Sequence, residues 1–378
     1  MKKDKILVSC LSNSWGGLEM VSSELFIEFI DHGYEAIFLC YEGSSIDLRL
    51  KEKNLRTATI NPKSSFIQKI ISIYKIINHF EPSSIIVNRL PSLKYITPAL
   101  VGKKNIKLTC LSHMLVNYTK KDIFHKLLYS RINKLIVLTE YQRRNHLNYL
   151  PIDNSKIEII PDWISTPKNF KHEKKDLKIF FPKELSSLKT AIMASRLDPQ
   201  KGQDLAIEAL AIAHNNDRPF LLLILGDNTY GERNIKKELH EKVISMGLEK
   251  YVTFIGHQEN IFPYLKGADF TLVPSYEETF GRIVIESMYV GTPVIGSRSG
   301  SIPFIIDENI NGLLHNAKDA KDIEEKIASL ASNEILKQNL SIKAIEKSKI
   351  YNKDLIFEKI KNQVVNSETT ELSVEATT

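Results

Sequence analysis

The chain has 378 residues, 43% apolar and 25% charged, with a formal net charge of +6. That composition is globular, and the length exceeds what one core usually fills, so two domains are expected. No stretch approaches the ~18 uninterrupted apolar residues of a spanning helix, and MKKDKILVSC passes from charges straight into a short apolar run. These features predict a soluble, unexported, cytoplasmic protein. Cys10, Cys40 and Cys110 are odd in number, widely spaced and set in apolar segments. They read as buried thiols of a reducing compartment rather than as a disulfide or zinc framework.

In chain order, residues 5–11 form a strand-like run, SNSWGG a loop, residues 18–31 an amphipathic helix closed by Gly33, and residues 34–41 a second strand. Further strands are expected at 84–88, 107–112, 134–139 and 157–160, with helical patterns between most of them. Such alternation implies a parallel sheet covered on both faces. The polar, proline-punctuated stretch at 165–189 breaks the rhythm and marks a domain boundary. Alternation then restarts, with strands at 190–195, 220–226, 251–256, FTLVPS and PVIGS, and helices at 202–215, 232–246, within ENIFPYLKGAD and at 282–290. Residues 319–363 read as helical, and SETTELSVEATT has the composition of a disordered tail. The expected fold class is therefore α/β, two doubly wound Rossmann-like domains in tandem, with a central cleft as the default ligand site.

Charge is distributed unevenly. Residues 1–180 hold 28 Lys and Arg against 17 Asp and Glu, and residues 61–150 hold 15 against 3. A positive field over part of the first domain favours an anionic partner, such as a membrane leaflet or a phosphorylated glycan acceptor. A solvated lysine-rich surface gives the same composition. Nucleic acid is disfavoured, since zinc-finger spacing, an aromatic RNA-binding signature and a basic zipper are all missing.

ETFGRIVIE places Glu278 ahead of an expected helix start near Gly281 or Arg282, and Glu286 in its second turn. Eight residues of helix set two side chains ~80° apart in azimuth and ~12 Å in rise. Paired carboxyls acting on one glycosidic bond need ~5 to 9.5 Å, so the spacing suits a clamp better than an acid and base. A helix start offers backbone N–H groups and a positive dipole end to an anion, with a carboxylate on either side for hydroxyls. Hydroxyls, a diphosphate and more hydroxyls describe a nucleotide-sugar. A dipole-favouring acid for Glu278 and a solvent-facing position for Glu286 are the plain alternatives.

ASRLDPQKGQ places Arg196 and Lys201 after the first strand of the second domain, beside another helix start, where two cations suit a diphosphate. Gly16 and Gly17 lie between strand and helix in the first domain, where a phosphate or sugar could approach the backbone or the chain could simply turn. His113 ends a strand of that domain.

These residues together resemble glycosyltransferase family 4, retaining enzymes of the GT-B fold that use nucleotide-sugars. The likeness spans GGLEMVSSELFIEFIDHGYEAIFLC, SRLDPQKGQDLAIEAL, LLLILGDN, VTFIGHQENIFPYLKGADFTLVPSYEETFGRIVIESMYVGTPVIGS and IDENINGLL. It implies that Arg196 and Lys201 bind the donor diphosphate and that Thr279, Phe280, Gly281, Arg282 and Ile283 contact donor sugar and phosphate. Glu278 would hold the sugar hydroxyls and Glu286 the ribose. Gly16 and Gly17 would lie over the diphosphate, with His113 approaching the sugar; the catalytic set would be Glu278, His113, Arg196 and Lys201. It further implies no metal and no cofactor beyond the donor substrate, and a cell-surface glycan acceptor such as lipopolysaccharide, O-antigen or capsule, reached by peripheral contact with an anionic inner membrane face. The implied domains are 1–165, 166–343, a helix crossing back at about 344–364, and a tail at 365–378. Ser301, Phe304, Asp162, Trp163 and Arg282 depart from the family pattern. An epimerase or a non-catalytic nucleotide-sugar-binding protein on the same scaffold is the alternative.

Overall fold

Short runs rich in Val, Ile and Leu, alternating with helical stretches, bury both faces of each strand and pair in parallel. The computed structural model describes residues 4–167, 173–228 and 234–365. Its first sheet contains β1 (Lys5–Ser9), β2 (Glu35–Tyr41), β3 (Thr57–Ile60), β4 (Ser84–Val87), β5 (Lys107–Ser112), β6 (Lys134–Val137) and β7 (Ile157–Ile159) in the order β3-β2-β1-β4-β5-β6-β7. The second contains β8 (Thr190–Ala194), β9 (Leu221–Leu225), β10 (Val252–Ile255), β11 (Phe270–Val273), β12 (Val294–Ser297) and β13 (Leu313–His315) in the order β10-β9-β8-β11-β12-β13. Every pairing is parallel. Both sheets are doubly wound, and their order reverses between β1 and β4 and between β8 and β11. At such a switch point the two flanking loops diverge to opposite faces and leave a crevice at the carboxyl edge.

Each unit has its own core. Leu7, Leu39, Ile85, Leu108 and Leu135 centre the first, and Ala191, Leu222, Phe270, Ile295 and Leu313 the second. The described residues up to Pro161 and from Asp354 pack as one unit, and Asp162–Lys353 as the other. The division precedes the expected limit at 165 because Trp163 is buried and the Ile164 N–H donates to Tyr351 O at 3.0 Å within the second unit. The expected crossing helix at 344–364 is two elements. Glu334–Ser348 ends in the second unit, and Lys353–Val364 lies in the first, its Phe357 ring 5.1 Å from that of Phe29. Ser84 Oγ, Thr109 Oγ1 and Lys107 Nζ donate to the carbonyls of Val364, Gln363 and Val365 at 2.7, 3.1 and 3.2 Å. These donors satisfy the orphan acceptors of the helix end. The expected tail falls, beyond 365, outside the described residues, as do positions 232 and 233 of one expected helix.

Two strands and a helix escape the sequence reading. β3, in TATI, is an edge strand with three of four residues only half-buried, so it lacks an apolar signature. The helix Ser45–Glu52 before it is amphipathic but short, and β13 has three residues. The three thiols are free and buried, and burial pushes Cys10 and Cys40 up to about 12. Among the described residues no helix is long and apolar enough to cross a membrane.

Candidate active site

The loops after β8 and β11 flank the switch point of the second sheet, and backbone contacts lock them together. After β8, Asp198 Oδ1 accepts from Gln200 N at 3.0 Å and sets a short 3-10 turn, Pro199–Lys201. Gly202 follows in the left-handed region at φ 71°, and the helix Gln203–Asn215 begins. A Cβ at Gly202 would stand 2.2 Å from the carbonyl oxygen of Pro274, in the other loop. Only glycine allows that approach. Tyr276 N donates to Gln200 O at 2.9 Å, and Tyr276 Oη to Asp204 Oδ2 at 2.8 Å. Burial, and then the Asp204 carboxylate, push the Tyr276 phenol well up, so it stays a neutral donor. Gln203 Nε2 reaches back to Ser195 Oγ at 3.0 Å and Arg196 O at 2.8 Å.

This bracing sets Lys201 against Glu278. Lys201 Nζ lies 2.7 Å from Glu278 Oε2, with side chains 22% and 13% exposed, and Ser275 Oγ donates to the same oxygen at 3.2 Å. The backbone of Glu278 is held from behind, its carbonyl accepting from Ser301 N at 2.8 Å, while Ser301 Oγ donates to Thr279 O at 2.5 Å. Ser301 thus departs from the family pattern to a structural end, because its hydroxyl fixes the peptide next to Glu278. Phe280 is buried beneath, its ring 6.1 Å from that of Tyr351.

The helix Arg282–Val290 starts where its sequence predicts, after Gly281 at φ 94°. No side chain caps it and its first turn carries no acid. Its leading amides carry no side-chain cap, and the helix start lies beside Glu278, whose Cγ is 3.4 Å from the Cβ position of Gly281. Glu286 is not solvent-facing; its side chain is 12% exposed and its Oε1 lies 3.6 Å from Arg282 Nη2, which also donates to Ser165 Oγ at 3.2 Å. At 3.6 Å the contact with Glu286 is coulombic rather than a hydrogen bond.

Arg196 stands on the same sheet edge with its side chain exposed. Gly16 and Gly17 follow β1 at the carboxyl edge of the first sheet. Gly16 is ordinary extended backbone at φ −167°, a Cβ there would meet nothing closer than 3.5 Å, and one at Gly17 would meet nothing within 4 Å. The chain bends at Gly16, but neither a positive φ nor a close neighbour requires glycine at these two positions. His113 follows β5 on a loop clamped by the helix Glu140–Tyr149. Asn145 Oδ1 accepts from Val116 N at 2.9 Å, Asn145 Nδ2 donates to Val116 O at 3.1 Å, and His146 Nε2 lies 2.7 Å from Ser112 Oγ. Burial pulls His146 down to about 4, so it is neutral here.

The second unit therefore brings together Lys201, Glu278, Thr279, Phe280, Gly281, Arg282, Ile283 and Glu286, with Arg196 at their edge. Sequence reasoning missed Gln203, Ser275, Tyr276 and Ser301, which position the others. The signal for Ser275 was a hydroxyl three residues before the glutamate; Gln203 reaches back within its own strand-to-helix segment, and Tyr276 and Ser301 act across loops far apart in sequence. Among the described residues no three His, Cys, Asp or Glu side chains gather as a metal-ligand set.

Residues 175–347, within the second unit, match the family model described as glycosyl transferases group 1. An uncharacterized glycosyltransferase of Methanocaldococcus jannaschii is 25% identical over 258 residues, 66% of this chain and 69% of that protein. A D-inositol 3-phosphate glycosyltransferase of Saccharomonospora viridis is 27% identical over 144 residues, 36% of this chain. The chain spans only a third of that relative and half or less of other such enzymes it matches. Among solved structures, a glycosyltransferase from Rickettsia africae superposes with TM-score 0.82 at 20% identity, covering 95% of this chain and 97% of that one. Anabaena HepE, solved with UDP and glucose, superposes with TM-score 0.79 at 20% identity over 94% of this chain and 98% of that one. At these identities the likeness is one of fold, and the fold is that of GT-B glycosyltransferases.

Proposed function

We propose that the protein is a retaining glycosyltransferase that moves a sugar from a UDP- or GDP-linked donor to a cell-surface glycan acceptor of the lipopolysaccharide, O-antigen or capsule type. The observation that carries this reading is the Lys201–Glu278 pair, 2.7 Å apart beside an uncapped helix start at a switch point, within the residues that match the group 1 family model. Three recognition elements adjoin there: a cation, an amide-rich helix end and an acceptor-only carboxylate. A diphosphate takes the first two and sugar hydroxyls the third. Lys201 Nζ has three protons, so it can hold Glu278 and a phosphate oxygen together. Arg282 adds a cation at the helix start, and Glu286, one helical turn on, is assigned to the ribose hydroxyls by the resemblance.

Charge on the leaving diphosphate grows as the glycosidic bond breaks. Lys201, Arg196 and the helix dipole then bind the transition state more tightly than the ground state. In this mechanism the leaving phosphate oxygen takes the acceptor proton on the face it departs from, and neither glutamate serves as the base. Gly16, Gly17 and His113 are assigned to the donor by resemblance, and the lack of any local need for glycine at 16 and 17 supports that assignment.

Thermal unfolding with a panel of UDP-, GDP- and dTDP-sugars tests the reading. Saturation at 100 times Kd stabilises the folded state by about 2.7 kcal/mol, which raises Tm by several degrees. One base should stand out. Equal Tm with every member of the panel would remove the nucleotide-sugar assignment.

A further inference from the structure

The polar stretch before β8 does more than join the two units. From residue 173 it packs against the amino edge of the second sheet, opposite the edge that carries Lys201 and Glu278. Lys175 N donates to Pro263 O at 3.0 Å, and Gly267 has no side chain to keep the Lys175 carbonyl oxygen away; a Cβ there would collide with it. The 3-10 turn Leu177–Phe180 is capped by Asp176, whose Oδ1 accepts from Lys178 N at 2.9 Å, and Thr253 Oγ1 donates to Phe180 O at 3.0 Å. Between this segment, residues 186–189 and the first residues of β8 and β11 lies a cavity of about 320 Å³. That is the lower end of the ~300–1,000 Å³ range of small-molecule sites.

The lining is cationic, with Lys174, Lys175, Lys178 and Lys189 against Asp176 and Asp269. Asp269 is already engaged: its Oδ2 accepts from Thr190 N at 2.9 Å, and its Oδ1 lies 3.1 Å from Lys337 Nζ and 3.4 Å from Lys189 Nζ. Among the described residues no carboxylate lies within ion-pair distance of Lys174, Lys175 or Lys178. Lys178 Nζ donates instead to the Leu188 carbonyl and Lys175 Nζ to Tyr264 Oη at 2.9 Å, partners without charge. Burial pulls the Lys178 ammonium below the usual lysine range, and the like charges of Lys189 and Lys174 pull the same way. Thr190 lines the same cavity, is 1% exposed, and its Oγ1 has no hydrogen-bond partner. A buried hydroxyl without a partner is costly, and beside cations without a counter-charge it marks a place for an anion that accepts from both kinds of donor.

We propose that this cavity binds a phosphorylated small molecule, its phosphomonoester held by Lys174, Lys178 and Lys189, with the Thr190 hydroxyl donating from the buried wall. A tetrahedral dianion suits point donors that arrive from several directions, whereas a planar carboxylate is served better by the fork of an arginine, and the described lining holds no arginine. The volume exceeds that of a phosphoryl group and leaves space for the molecule that carries it. The five residues of β8, about 16 Å of strand, separate Thr190 from the loop that bears Lys201, so the site is distinct from the Lys201–Glu278 pair. The proposal does not rest on the transferase reading and tests separately from it.

The test is calorimetric titration of the full chain with inorganic phosphate, glucose 6-phosphate and glucose, at one ionic strength set with chloride. Both phosphates should bind saturably and glucose should not. Lys174→Gln with Lys178→Gln should lower the affinity for glucose 6-phosphate about tenfold or more, since each lysine supplies a charge-assisted hydrogen bond. Thr190→Val removes a hydroxyl that no described group uses. It should lower that affinity about three- to tenfold while Tm equals or exceeds that of wild type. Lys201→Ala, in the loop on the opposite edge, should bind glucose 6-phosphate as wild type does, with circular dichroism confirming the fold of every variant. Failure of either phosphate to bind, equal binding of glucose, or wild-type affinity in both cavity variants would overturn the proposal. So would loss of phosphate binding in Lys201→Ala alone, which would assign the phosphate to the other edge of the sheet.

Discussion

Lys201→Ala should lower kcat/KM for sugar transfer by about 10² to 10³-fold while the chain stays folded, the usual loss when one preorganised charge-stabilising donor is removed. Lys201 meets Glu278 at 2.7 Å and sits on a turn whose backbone is fixed by Asp198, Gly202 and Tyr276, so its position is prepared before any ligand arrives. Its removal leaves the Glu278 carboxylate with the Ser275 hydroxyl and partial access to water, a cost of about 1 to 2 kcal/mol in stability. Steady-state kinetics and thermal unfolding of the same preparation separate the two effects. Lys201→Arg, which keeps the charge in a different shape, should recover stability before it recovers rate. Transfer by Lys201→Ala within threefold of wild type would take Lys201 out of the site.

The second large effect is structural and reaches the same place. Gly202→Ala should destabilise the chain by about 2 to 4 kcal/mol and strongly impair transfer, because a left-handed alanine is strained and the new methyl group meets backbone rather than a side chain that can rotate away. The nearest atoms are the carbonyl oxygen and carbon of Pro274 at 2.2 and 2.9 Å. Relief requires the loops bearing Lys201 and Glu278 to part. Gly247, at a comparable φ of 67° but with nothing within 4 Å of its Cβ position, supplies the control. Gly247→Ala should cost only the conformational share, ~1 kcal/mol, with normal transfer. Denaturant unfolding of both variants gives the packing share by difference, and equal losses would mean that the contact with Pro274 is not rigid.

Much of this was legible from sequence because the signals were local. Strands such as FLLLILG are continuous apolar runs, and the helix Arg282–Val290 follows a Gly and ends at a Gly, so its bounds could be read directly. Glu278 and Lys201 were legible as chemistry, a carboxylate before a helix and a cation in a strand-to-helix loop, but not as a pair, since 77 residues separate them. Their meeting depends on sheet order, which places β8 beside β11. Ser301 read as a departure and proved to be a brace, because two of its partners, Glu278 O and Thr279 O, belong to another loop. Whether Gly16 and Gly17 are sterically required could be read only once φ and the empty space around them were known.

The central claim is that the turn before the helix Arg282–Val290 is a nucleotide-sugar clamp with Glu278 on the sugar. Calorimetric titration of wild type and Glu278→Gln with the preferred nucleotide-sugar and with its free nucleoside diphosphate tests it most directly. Glutamine keeps the shape but loses the charge that strengthens hydrogen bonds from sugar hydroxyls. The predicted result is nucleotide-sugar affinity lowered about tenfold or more, with free nucleoside diphosphate binding within about twofold of wild type. Loss of nucleoside diphosphate affinity in Glu278→Gln, with the contribution of the sugar to binding unchanged, would contradict the account.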